Sequence, residues 1–238
     1  MHRLFPRWSL RALVAVAAAA TLVGPLAAGA STPTAASLIK AAKAAVKTQS
    51  GVHVVVRTTS GKTSTKVVVD IGTSTGVESI SSGTKFVKIT VTAADVFVAG
   101  NKTGLMTMMG LTAAQQKIVG TKAITVAAGS APYNSFKASL TTPALVAFLP
   151  AVKGTTLAPL VSGSGHYKLT WSSAATSTAA KVTSVLYLAS SGATLPQSET
   201  TKSTTSTGST VFSQWGETVN PSSPAKADQI AYSKVFSG

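Results

Sequence analysis

The chain has no cysteine. That excludes disulfides, thiol nucleophiles, thiolate metal sites and iron–sulfur clusters. A chain without disulfides must hold itself together by packing and hydrogen bonds. Acidic residues are scarce: 6 Asp plus Glu stand against 21 Lys plus Arg, a net charge of +15. Such a surface favours anionic partners, such as phospholipid headgroups or anionic wall polymers. Aromatics make up only 6% of the chain, too few and too scattered to interleave with a basic stripe. Nucleic-acid binding is therefore not expected. Long apolar runs are also missing, apart from one at the N-terminus.

That run has the parts of a secretory signal. Arg3, Arg7 and Arg11 form a basic region, residues 12–23 are apolar, and Gly24 and Pro25 end the run. Ala28-Gly29-Ala30 supplies the small residues that precede cleavage. The run is shorter than the roughly 20 residues needed to span a bilayer. Cleavage after Ala30 is expected, leaving residues 31–238 as a single soluble domain. Without its three signal arginines the charge falls from +15 to +12.

Periodicity divides the rest. Residues 33–48 predict a helix with Pro33 in its first turn, Lys40, Lys43 and Lys47 on one side, and Leu38, Ala42, Ala45 and Val46 on the other. From residue 51 to 102 the period drops to two, in short β-branched runs punctuated by Gly61, Gly72, Gly76, Gly83 and Gly100. This predicts an antiparallel meander. Residues 105–119 and 133–149 then read as apolar helical flaps around a short strand at 122–127. Strands resume at 166–171, 182–189, 197–202 and 210–215, with polar turns at 172–180 and 203–209. The tail from residue 220 predicts at most one short helix. The fold class is α+β.

Catalytic groupings are hard to find. The exported part has His53 and His166, and neither has a carboxylate within ten residues. Both read as ordinary strand histidines, and no metal or cofactor is expected. Asp70, Glu78, Asp95, Glu199, Glu217 and Asp228 are separated in sequence and read as partners of lysines. Residues 161–165, Val-Ser-Gly-Ser-Gly, lack the first glycine of a nucleophile elbow. The protein is not expected to be an enzyme.

The distinctive feature is the apolar middle, where Met106, Met108 and Met109 lie together. Methionine suits surfaces that accommodate variable apolar shapes. A curved sheet with one apolar face, covered by such flaps, makes a cavity for acyl chains. At this point a family resemblance emerges. "SLIKAAKAAVKTQSGVHVVVRTTSG" (37–61), "DVFVAGNKTGLMTMMGLTAAQQKIVGTKAITV" (95–126) and "ATLPQSETTKSTTSTGSTVFSQWGETVNPSSPAKADQI" (193–230) resemble, in order and character, the actinobacterial LppX/LprG family of envelope lipid carriers, which are relatives in fold of LolA and LolB.

The resemblance implies a half-open antiparallel barrel with helices over its concave face, binding acyl chains of lipids, glycolipids or lipoproteins. One departure is plain: many members carry a lipidated cysteine at the cleavage site, where this chain has Gly29. Release to the periplasm, envelope or medium is expected, as a monomer without a lipid anchor. The cavity-lining candidates are Val54, Val56, Phe86, Phe97, Met106, Met108, Met109, Leu145, Phe148, Leu149 and Tyr187. The alternative is a basic wall-binding or adhesive protein with a solid core. Cavity volume separates the two, since an acyl carrier needs several hundred Å3 of apolar space.

Overall fold

The computed structural model describes residues 32–159, 165–173 and 180–236. The expected leader and its expected cleavage site lie outside them. The first element, α1 (Ala35–Lys47), begins with a capping box. The Thr34 hydroxyl accepts from the Ser37 amide at 3.1 Å, and the Thr34 amide donates to the Ser37 hydroxyl at 2.9 Å. Leu38, Ile39, Ala42 and Val46 form its buried stripe, with Ile39 taking the place expected of Ala45.

The first meander follows: β1 (Gly51–Ser60), β2 (Thr63–Gly72), β3 (Gly76–Ser82), β4 (Lys85–Val91) and β5 (Asp95–Gly100). Then come α2 (Lys102–Met108), α3 (Ala113–Val119), β6 (Ala123–Ala127), α4 (Ala131–Ser139) and α5 (Thr142–Phe148). The second meander is β7 (Thr156–Leu157), β8 (His166–Ser172), β9 (Thr183–Ala189), β10 (Pro196–Lys202) and β11 (Ser206–Ser213). The chain ends in a 3₁₀ turn at Lys226–Asp228, β12 (Gln229–Ala231) and α6 (Tyr232–Phe236).

All the strands join one open, curved sheet of 12 strands, in the order β12-β6-β5-β4-β3-β2-β1-β11-β10-β9-β8-β7. The two meanders meet where β1 pairs with β11. Neighbours are antiparallel except β12 and β6. Alternation separates the faces. Val52, Val54, Val69, Ile71, Val87, Ile89, Val96, Val98, Leu169, Leu186 and Leu188 point inward and join residues of α1 to α5 in one core. The architecture is the expected α+β one. Among the described residues no helix is long and apolar enough to cross a membrane.

Glycine lets the layers approach. Gly104 in α2 lies against the backbone of Phe86, where any Cβ would collide. At the opposite end of the sheet, Gly51 and Gly72 open the outer face to the segment leaving β11. A Cβ on Gly51 would lie 2.5 Å from the Glu217 carbonyl oxygen, and one on Gly72 would lie 3.1 Å from Val219.

Three features depart from the sequence reading. The Ser/Thr/Gly run expected as a turn at 203–209 is strand from Ser206, and Trp215 lies beyond the strand's end. Its residues pair on both sides, with β1 and β10. The ladders therefore satisfy its backbone although its side chains give no apolar signal. The parallel strand β12 was not expected, because three residues carry no readable period. β7 is shorter still.

Candidate functional site

Cross-strand pairs build two rows on the inner face. The first runs Ile124, Val98, Ile89, Glu78, Val69, Val54, Phe212. The second runs Val87, Ile80, Val67, Val56, Thr210, Glu199, Leu186, Leu169. Each row is apolar except for one carboxylate and, in the second, one threonine. Both carboxylates are essentially out of water, at 2% exposure for Glu78 and 1% for Glu199.

Burying an unpaired carboxylate disfavours its charged form. Burial alone pushes the Glu78 carboxyl up to about 7. Burial also pushes Glu199 up to about 7, against a weaker opposing pull from Ser184. Ser184 lies diagonally across β9 and β10 on the same face. Its hydroxyl is close enough to favour the anion, but neither Glu199 oxygen has a partner at hydrogen-bonding distance. The burial of both oxygens dominates.

Short helices cover this floor. α2, α3 and α5 have 7 residues each and α4 has 9. Helices of that length are marginal alone and are held by packing. From α5, Phe148 meets Phe212 edge to face at 5.5 Å, and Phe212 stacks on Trp215 at 6.0 Å. The Trp215 indole N–H donates to the Pro196 carbonyl at 2.9 Å. Under α2 and α4, Val98, Met109, Leu111, Ile124, Val126, Phe136, Tyr232 and Phe236 enclose an apolar cavity of about 10 Å3. That is far below the several hundred Å3 set as the mark of a carrier.

The sequence candidates divide by face. Val54 is buried and Val56 half-buried on the inner face, while Met109, Leu145 and Leu149 are buried in the helical layer. Met106, Met108 and Phe148 are half-buried in that layer. Phe86, Phe97 and Tyr187 point the other way. Phe86 alternates with inward Val87 and is 41% exposed. Phe97 is flanked on the outer face by Thr90 and Thr125. Tyr187 packs edge to face with His166 at 4.8 Å. In strand 95–100 both faces are apolar, so alternation alone did not orient Phe97.

Glu78, Glu199, Phe212 and Trp215 were not among the candidates. A signal existed for Glu78, which shares the parity of Ile80. Phe212 and Trp215 belong to the 193–230 segment that carries the resemblance. The expectation that carboxylates pair with lysines also fails. Among the described residues the ion pair is His53–Asp70, at 2.6 Å. The β1–β2 register places these two opposite each other, although 17 residues separate them.

Two solved mycobacterial structures are similar to this chain. The crystal structure of lipoprotein LppX from Mycobacterium tuberculosis has 15% identity and a TM-score of 0.46, covering 78% of this chain and 97% of that one. LprF from Mycobacterium bovis has 14% identity and a TM-score of 0.49, covering 80% and 97%. No protein-family model matches the sequence, and no curated protein matches it.

Proposed function

We propose that this is an exported, non-enzymatic protein whose inner sheet face binds acyl chains of lipids, glycolipids or lipoproteins and moves them within the cell envelope. The observation that carries the reading is the pair of carboxylates, Glu78 and Glu199, buried in otherwise apolar rows of the inner face. Buried polar groups without partners are costly, and a ligand entering this layer with a hydroxyl or amide would satisfy them.

Residues of the helices pack on this face in one core, so binding there requires the helices to lift. Each methylene taken from water contributes about 0.8 kcal/mol. Eight methylenes of one chain would thus contribute about 6 kcal/mol toward separating helix from sheet. Val54, Val56, Met106, Met108, Met109, Leu145, Phe148 and Leu149 are the proposed contacts. The basic surface would bring the protein to anionic membranes, and the glycine at position 29 fits release rather than tethering.

The small apolar cavity favours a second reading, a wall-binding protein with a solid core. Organic extraction and mass spectrometry of the protein purified from its native envelope tests the choice. Stoichiometric acyl lipid supports the carrier. Lipid-free protein that is retained on anionic wall polymer supports the alternative.

A further inference from the structure

We infer that His53, Asp70 and Glu217 form a binding site for a borderline divalent cation such as Zn2+, on the outer face of the sheet. There the ion would clamp the segment after β11 onto β1 and β2. The site is separate from the inner face and does not depend on lipid binding. One ligand atom from each of the three side chains lies within 4.8 Å of the others. His53 and Asp70 are opposed across β1 and β2, with the ring Nδ1 2.6 Å from Asp70 Oδ1.

Glu217 reaches them on a pinned backbone. The Gly216 amide donates to the Gly51 carbonyl at 2.8 Å. The Thr75 hydroxyl donates to the Val219 carbonyl at 2.5 Å. These bonds fix the chain on both sides of Glu217. Just before it, Gln214 takes a positive φ of 53°, rare for a residue with a Cβ, and turns the chain out of β11. The side chain so placed is incompletely satisfied, because Glu217 Oε1 is shielded from water and has no hydrogen-bond partner.

The charge pattern is as telling as the geometry. The chain has 6 acidic residues and a net charge of +15, yet two of those acids converge beside a histidine. A divalent cation would offset both carboxylates at once. One imidazole and two carboxylates suit Zn2+, with ligand distances of about 2.0–2.2 Å, better than the all-oxygen preference of Mg2+ or Ca2+. A polar cleft of about 400 Å3 opens beside the cluster and leaves room for water ligands. Binding would break the His53–Asp70 hydrogen bond and draw Glu217 inward.

The test is calorimetric titration of the untagged protein with Zn2+, Mg2+ and Ca2+, alongside thermal melts. One Zn2+ per chain is expected, at least about 100-fold tighter than Mg2+ or Ca2+. A hundredfold excess of Zn2+ over its Kd should raise the midpoint by about 5–10 °C. Glu217→Gln keeps the side chain's shape and should weaken Zn2+ binding at least tenfold, as should His53→Ala. His166→Ala should leave it unchanged. Absence of Zn2+ binding by the wild type overturns the inference. So does full-strength binding by folded Glu217→Gln, whether or not His53→Ala folds.

Discussion

The two faces of the sheet treat their carboxylates in opposite ways. The inner face holds Glu78 and Glu199 in separate apolar rows, without a cation beside either, and burial pushes both up to about 7. The outer face gathers Asp70 and Glu217 around His53 at the rim of a polar cleft. Composition gives no hint of this division, since the acids are few and the lysines many. Strand register decides it. A carboxylate on an inward position is desolvated and tends to neutral, while outward ones remain free to combine.

The largest expected contrast is in packing. Leu186 is fully buried on the inner face, so Leu186→Ala should cost about 2–5 kcal/mol in urea unfolding. Lys168, exposed one strand away on the outer face, should change stability by no more than about 0.5 kcal/mol when replaced by alanine. Equal effects would erase the distinction between the faces.

Next in size is the pH dependence. Glu78 and Glu199 have folded-state values raised above the unfolded value, so the unfolded chain releases their protons first as pH rises. Their stabilising contribution is full below about 4.5 and is lost as pH climbs through about 7. The loss is on the order of 3 kcal/mol per group. Unfolding free energy should therefore decline between pH 5 and 8. Glu78→Gln and Glu199→Gln should each flatten the decline and raise stability at pH 8. A stability that rises over this interval in the wild type would contradict the lone, buried carboxylates.

A smaller effect is expected at the end of β11. Trp215→Phe keeps an aromatic ring against Phe212 but removes the donor to Pro196, at a cost of about 1 kcal/mol. The smallest effect concerns the outer surface alone. Binding to anionic vesicles should weaken markedly by about 0.5 M salt, where screening acts within roughly 4 Å. Binding indifferent to salt, or equal on neutral vesicles, would leave the charge a role in solubility only.

Much of the fold was legible because local signals agreed. The lysine and apolar sides of residues 33–48 appear as the exposed and buried sides of α1, whose buried stripe is Leu38, Ile39, Ala42 and Val46. The valine alternation of β1 separates its two sides, and packing against the helices decides which one is inward. The candidate site was less legible, because the size of a side chain does not give its parity: Phe86, Phe97 and Tyr187 face outward. His53 and Asp70 meet through a ten-residue register set by the hairpin at Gly61. Counting outward from that glycine would have paired them. Glu217 joins them through tertiary contacts of the tail, which no local pattern encodes.

The central proposal, that the inner face opens to take acyl chains, is tested most directly by uptake of a fluorescent fatty-acyl probe. The wild type and Met108→Trp should be compared, with the thermal midpoint followed in parallel. Met108 is half-buried in the helical layer and packs against the core, so an indole there is accommodated only if that layer can open. The expected result is saturable uptake by the wild type, and loss of uptake by Met108→Trp at an unchanged midpoint. No uptake by the wild type, together with a lowered midpoint for the variant, would show a solid core and contradict the proposal.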